Sequence, residues 1–212
     1  MSAARLVARC VVTVVAAAAL IAVALGSAAP SPGAPFPLRL GARLRAAGRA
    51  ECGFVRAATD PWTDRPTLTR GRIVLELPDR ARLEFPSTGE RITLRGDGGE
   101  WLQPRLRQLV VFPPERAREA RRWWQLLIDG SAPGIEVSRR TGRRLVLRSA
   151  RGAGPDSASL DLDAAGLPTR LRAPDAGGPV EYRFARWSFG RARGDSAFRQ
   201  RAPAEFERVE LP

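Results

Sequence analysis

Nucleophilic and metal chemistry have few starting points in this chain. It contains no His, Lys or Asn, so all 35 of its basic residues are Arg. Without imidazole, Ser-His and Cys-His relays are impossible and His-ligated metal sites are absent. Two pairs of acids stand two residues apart, Asp161 with Asp163 and Glu205 with Glu207. On a strand that spacing puts both carboxylates on one face, as acid–base hydrolysis would need. Alternate acids on a strand more commonly mark its wet face. No Gly-rich phosphate loop, nucleophile elbow or metal cluster accompanies them. The expectation is a protein with no catalytic residue, no metal and no cofactor, whose function rests on apolar side chains.

Those side chains need elements to position them, and residues 70–112 supply the pattern. Ile73, Leu75 and Leu77 alternate with Arg72, Val74 and Glu76; Leu83 and Phe85 alternate with Arg82 and Glu84; Ile92 and Leu94 alternate with Arg91, Thr93 and Arg95. Period-two alternation predicts antiparallel strands with one apolar and one wet face. The breaks fall on turn-forming Leu77-Pro78-Asp79, Pro86-Ser87-Thr88-Gly89 and Gly96-Asp97-Gly98-Gly99.

Residues 1–28 have the parts of a secretory signal: Arg5 and Arg9, an uncharged apolar run from Val11 to Leu25, and small residues Gly26-Ser27-Ala28 before the expected cleavage. The run is short for a membrane span, and Cys10 stands at its start, not in a lipobox at its end. Removal of this segment takes away two Arg and no acid, lowering the net charge from +13 to +11. Cys52 would then be alone, which excludes an internal disulfide. Residues 29–37 read as a Pro-rich leader.

Residues 38–59 read as a helix, with Leu40, Leu44, Ala47 and Cys52 at roughly helical spacing. Glu115 to Asp129, opened by Pro113-Pro114 and closed by Gly130, reads as a second helix carrying Trp123, Trp124 and Leu127. Strands resume at Ile135–Ser138, Arg144–Arg148, Ala158–Asp163, Leu167–Arg172 and Val180–Phe189, the last changing phase at Ala185-Arg186 as a bulge would. A short strand, Phe206–Leu211, ends the chain. The total is about ten antiparallel strands and two helices, which is too many strands for a flat sheet. The expected fold is mainly β (α+β): a curved, incomplete antiparallel barrel covered by helices, in one domain over residues 38–212.

Such a vessel can hold an apolar guest. The residues expected to line it are Leu75, Leu83, Phe85, Leu94, Trp101, Leu145, Leu147, Leu160, Leu162, Tyr182 and Phe184, with Trp123, Trp124 and Leu127 as a lid. The Arg residues are spread over every strand without interleaved aromatics, which argues against nucleic acid and suits anionic lipid head groups better.

The order of elements resembles the outer-membrane lipoprotein carrier (LolA) family. Leu75-Glu76-Leu77-Pro78 followed by Arg80–Phe85 is similar to that family's Pro-turned hairpin. Asp97-Gly98-Gly99-Glu100-Trp101-Leu102 with Gln108 downstream resembles its Asp-Gly turn and Trp strand. Asp163-Ala164-Ala165-Gly166-Leu167-Pro168, and Asp175-Ala176-Gly177-Gly178 up to Tyr182-Arg183-Phe184, resemble its later hairpins. Phe198, Pro203 and Phe206-Glu207-Arg208-Val209 resemble its ending. The likeness spans residues 38–211. It implies a monomeric periplasmic carrier that receives acylated lipoproteins or lipids from an inner-membrane lipoprotein-releasing ABC transporter and passes them to an outer-membrane receptor. In the best-studied branch of that family an Arg precedes the hairpin Pro and tethers the lid; here that position is Leu77, with Arg72, Arg80 and Arg82 nearby. The competing expectation is a lipid-binding envelope-stress sensor or scaffold without transfer activity.

Overall fold

The structure, a computed structural model, describes residues 39–60, 63, 65–129, 135–149, 158–173 and 179–211. The expected signal segment and leader, Trp62 and the Asp175–Gly178 turn lie outside these residues. So do the side chains of residues 119–123, Trp123 among them.

Helix α1 (Arg39–Ala47) is shorter than the sequence pattern suggests. Leu40 and Leu44, one turn apart, are fully buried. Gly48 ends the helix in the left-handed region (φ 93°), and its N–H donates to the Leu44 carbonyl at 2.7 Å. The rest of the expected helix is strand β1 (Arg49–Thr59). Ala50, Cys52 and Phe54 are buried on one parity and face the sheet's interior. Small and β-tolerant residues on a period of two override the helical propensity of Ala and Arg.

A meander follows: β2 (Pro66–Glu76), β3 (Arg80–Phe85), β4 (Glu90–Arg95), β5 (Gly98–Gln103) and β6 (Gln108–Phe112). Helix α2 (Pro114–Asp129) then leads to a second meander of β7 (Ile135–Thr141), β8 (Arg144–Ser149), β9 (Ala158–Leu162), β10 (Pro168–Ala173) and β11 (Val180–Phe184). β12 (Ser188–Gly190), a 3-10 turn at Asp195–Phe198 and β13 (Glu207–Glu210) complete the chain.

Among the described residues 13 strands form one sheet, in the order β13-β6-β5-β4-β3-β2-β1-β11-β10-β9-β8-β7, with β12 beside β1. β1 and β11 join the two meanders antiparallel, with Phe54 opposite Phe184. β13 is the exception to the antiparallel expectation, because it pairs parallel with β6. The ends of the path, β13 and β7, are not paired with each other, so the sheet is open. Laid flat, twelve strands at about 4.8 Å spacing would span about 55 Å. Yet Trp101 of β5, Phe54 of β1 and Leu145 of β8 belong to a single core cluster, so the sheet is curled around it. The architecture is therefore mainly β, an incomplete barrel with few helices.

The phase change expected in the Val180–Phe189 segment is present. Phe184 pairs with Phe54 and Phe189 with Ala50, so this side holds one residue more than β1. The strand breaks there outright at Ala185–Trp187, and Trp187 turns into the core at 6% exposure with its indole N–H donating to the Pro168 carbonyl at 2.8 Å.

Both helices lie against the sheet. α1 packs on β1 and β12, α2 packs on β4, β5 and β6, and the helices touch each other. Their contact is close at Gly41, where a Cβ would stand 2.0 Å from the Ile128 carbonyl oxygen. Gly41→Val is therefore expected to lose about 1–3 kcal/mol and to separate α1 from α2. Thermal unfolding and amide exchange of the two helices would check this; wild-type values for both would mean the helices do not depend on their contact.

Candidate functional site: an apolar inner face under two helices

Cross-strand pairing fixes which side chains share a face. Leu145 lies opposite Leu160, Leu160 opposite Leu171, and Leu171 opposite Tyr182. Phe184 lies opposite Phe54, Cys52 opposite Ile73, and Ile73 opposite Leu83. Leu83 lies opposite Ile92, Ile92 opposite Trp101, and Trp101 opposite Val110. These three apolar runs stand on one face of the sheet; between them Tyr182 lies opposite Arg56, and Phe54 lies opposite Gly71.

All eleven strand residues singled out from the alternation stand on this face. Leu75, Leu94, Trp101, Leu145, Leu147 and Leu160 are at most 3% exposed, and Phe85 and Leu162 are each 9% exposed. Leu83, Tyr182 and Phe184 are half-buried against the core. Phe54 packs edge-on to Phe85 (5.9 Å between centroids) and tilted against Tyr182 (6.0 Å). From the helices, Leu126 and Leu127 are buried and Trp124 is half-buried against the same cluster. The sequence reading missed the β1 contribution of Ala50, Cys52 and Phe54. Its signal was the alternation after Gly48, obscured by helix-favouring neighbours.

Cys52 is buried in this face, and burial pushes its thiol pKa up to about 12. It stays protonated at neutral pH and behaves as a small apolar side chain.

The opposite face is polar and held by charge. Glu51 receives Arg72 at 2.8 Å. Asp161 receives Arg144 through two bonds of 2.6 and 3.0 Å, and Arg172 reaches Glu181 at 2.6 Å. Residues 193–200 form a strap over β2–β5. Glu76 accepts the backbone N–H groups of Arg193 (2.7 Å) and Gly194 (3.2 Å), Arg82 donates to the Ala197 carbonyl, and Arg95 donates to that of Phe198. Phe198 is fully buried, with the guanidinium groups of Arg80 and Arg82 each 5.9 Å from its ring centre. The strap buries Val74 and Glu76, which the alternation alone assigns to water.

Arg72, Arg80 and Arg82 are therefore occupied on the outer face. Leu77 packs against the hydrophobic core.

The paired acids have structural roles. Asp163 Oδ1 accepts the Ala165 and Leu167 N–H groups at 2.8 Å each, closing the turn before β10. Glu207 accepts from the Gln108 amide at 3.0 Å. The Arg144 hydrogen bond, followed by the nearby guanidinium charges, holds the Asp161 carboxyl below its ordinary pKa. A depressed folded-state pKa adds stability above the unfolded value near pH 4, and that contribution is lost as pH falls through the folded value. Asp161→Asn is expected to lose about 0.5–1 kcal/mol at pH 7 and almost nothing at pH 2.5. Urea unfolding at the two pH values reads the difference, and an equal loss at both would contradict the ion-pair account.

No family model and no curated protein matches the sequence. Solved structures do match. An uncharacterized conserved protein from Thermus thermophilus aligns over 82% of this chain and 95% of its own, with 14% identity and a TM-score of 0.50. A LolA superfamily protein from Nitrosomonas europaea aligns over 78% of this chain and 92% of its own, at 10% identity and a TM-score of 0.41. The Mycobacterium tuberculosis lipoprotein LppX aligns over 70% and 91%, at 12% identity and 0.37. The Thermus likeness is one of fold alone: this chain shares that protein's architecture along most of both lengths.

Proposed function

We propose that the protein is a carrier that shields acyl chains on the inner face of its curled sheet, beneath α1 and α2. In this reading it works in the periplasm and moves acylated lipoproteins or lipids between membranes. One observation carries the proposal: a largely apolar face across an open sheet, backed by helices and only half-buried at Leu83, Ile92, Tyr182 and Phe184. Each buried CH2 contributes about 0.8 kcal/mol, so an acyl chain crosses water only inside such a container. An adaptable, half-open lining also permits release. The sequence resemblance to lipoprotein carriers supports the same assignment, as does the signal-like segment at residues 1–28.

A transfer assay tests this directly. Vesicles carrying a triacylated lipoprotein are incubated with excess protein and then pelleted. The carrier reading expects lipoprotein in the supernatant, in complex with the protein and transferable to fresh vesicles. Tight retention without onward transfer would favour a sensor or scaffold instead.

A further inference from the structure

We propose that a pocket at the α1 end of the inner face binds the anionic head group of an acyl lipid. This rests on the carrier reading and narrows its cargo to an acidic amphiphile, with a phosphate or carboxylate beside the acyl chain. The pocket encloses about 500 Å³ between α1, the turn before β10 and the β11–β12 break, within the range usual for small-molecule sites.

Its floor and its rim differ in chemistry. Leu167 and Trp187 form the floor at 5% and 6% exposure and belong to the hydrophobic core. Phe184 stands beside them, its ring 5.7 Å from that of Trp187. It is also the cross-strand partner of Phe54, so the floor continues onto the inner face proposed for acyl chains. The rim carries Arg43 and Arg186, both exposed.

The two rim arginines differ from those of the outer-face ion pairs. Arg72, Arg80, Arg144, Arg172 and Arg183 are all committed to carboxylates. Among the described residues neither Arg43 nor Arg186 has a carboxylate partner. Arg43 instead stacks on the Phe189 ring, 4.4 Å from its centre, which orients the guanidinium while leaving its in-plane N–H groups available. One acid, Asp163, also lines the pocket, but its Oδ1 is held by two backbone N–H groups of its own turn. Two guanidinium groups with no carboxylate partner among the described residues, above an apolar floor, match an anion attached to a hydrocarbon chain.

Calorimetric titration of residues 29–212 with a monoacyl phosphatidic acid, the monoacyl phosphatidylcholine of equal chain length, and inorganic phosphate tests this. The phosphatidic acid should bind about tenfold more tightly than the choline lipid, and phosphate alone should bind negligibly. Arg186→Glu should abolish that preference and leave the melting temperature within error. Arg43→Gln should weaken it in part. Equal binding of the two lipids, or a preference that survives Arg186→Glu, would overturn the head-group site while leaving acyl carriage standing. Phosphate binding as strong as the lipid's would show a free-anion site and overturn the lipid assignment. Binding of neither lipid would fail the carrier reading itself.

Discussion

Glu76→Ala is expected to cost about 2–4 kcal/mol of folding stability, far more than a typical exposed strand residue. Glu76 is 2% exposed, and its carboxylate is the point where the C-terminal strap is fastened to β2. Two backbone N–H groups, of Arg193 and Gly194, end on it, and the Arg80 guanidinium lies 3.7 Å away. Truncation leaves both donors without their acceptor in a covered position, and part of Arg80's compensation is lost. Asp195 and the Leu77 carbonyl still hold Arg80, so the guanidinium is not stranded. Glu76→Gln keeps the shape and one acceptor and should lose about 1–2 kcal/mol. Urea unfolding gives both values. Amide exchange at Arg193 and Gly194 locates the damage, since protection there should fall before protection in β4. A loss below about 1 kcal/mol for the alanine variant would show that Phe198, and not this carboxylate, fastens the strap.

The second large effect concerns cargo. Leu83→Glu places a carboxylate on the half-buried part of the inner face, between Ile73 and Ile92. An unpaired charge against hydrocarbon costs at least about 2 kcal/mol, which is about a thirtyfold loss of acyl affinity or more. Leu68→Glu is the control. Leu68 is 72% exposed and pairs with Ala57 on the outer face, so its replacement should leave affinity unchanged. Titration with a fluorescent fatty acyl probe measures both. Equal losses for the two variants would point to a general electrostatic effect and not to the inner face.

Much of this arrangement is legible in the sequence. The alternation of Ile73 and Leu75, Leu83 and Phe85, Leu145 and Leu147, and Leu160 and Leu162 places each residue on the same face the structure does, because pleating leaves side chains no other choice. The phase change after Phe184 is visible for the same reason. What escapes is information held in distant contacts. Val74 and Glu76 read as water-facing because the strap that covers them arrives more than a hundred residues later. Ala50, Cys52 and Phe54 read as helix because Ala and Arg dominate their surroundings; their strand identity comes from pairing with β2 and β11. The parallel pairing of β13 with β6 follows from the path of the strap and has no local signature. The pocket bounded by Arg43 and Arg186 joins an N-terminal helix to a C-terminal strand break, so no sequence window contains it.

The most direct test of acyl carriage is native mass spectrometry of residues 29–212 with a triacylated lipopeptide. The account predicts a one-to-one adduct that is retained by Leu68→Glu and lost in Leu83→Glu. A folded protein that forms no adduct would contradict it, and would mean that the inner face is filled by its own side chains.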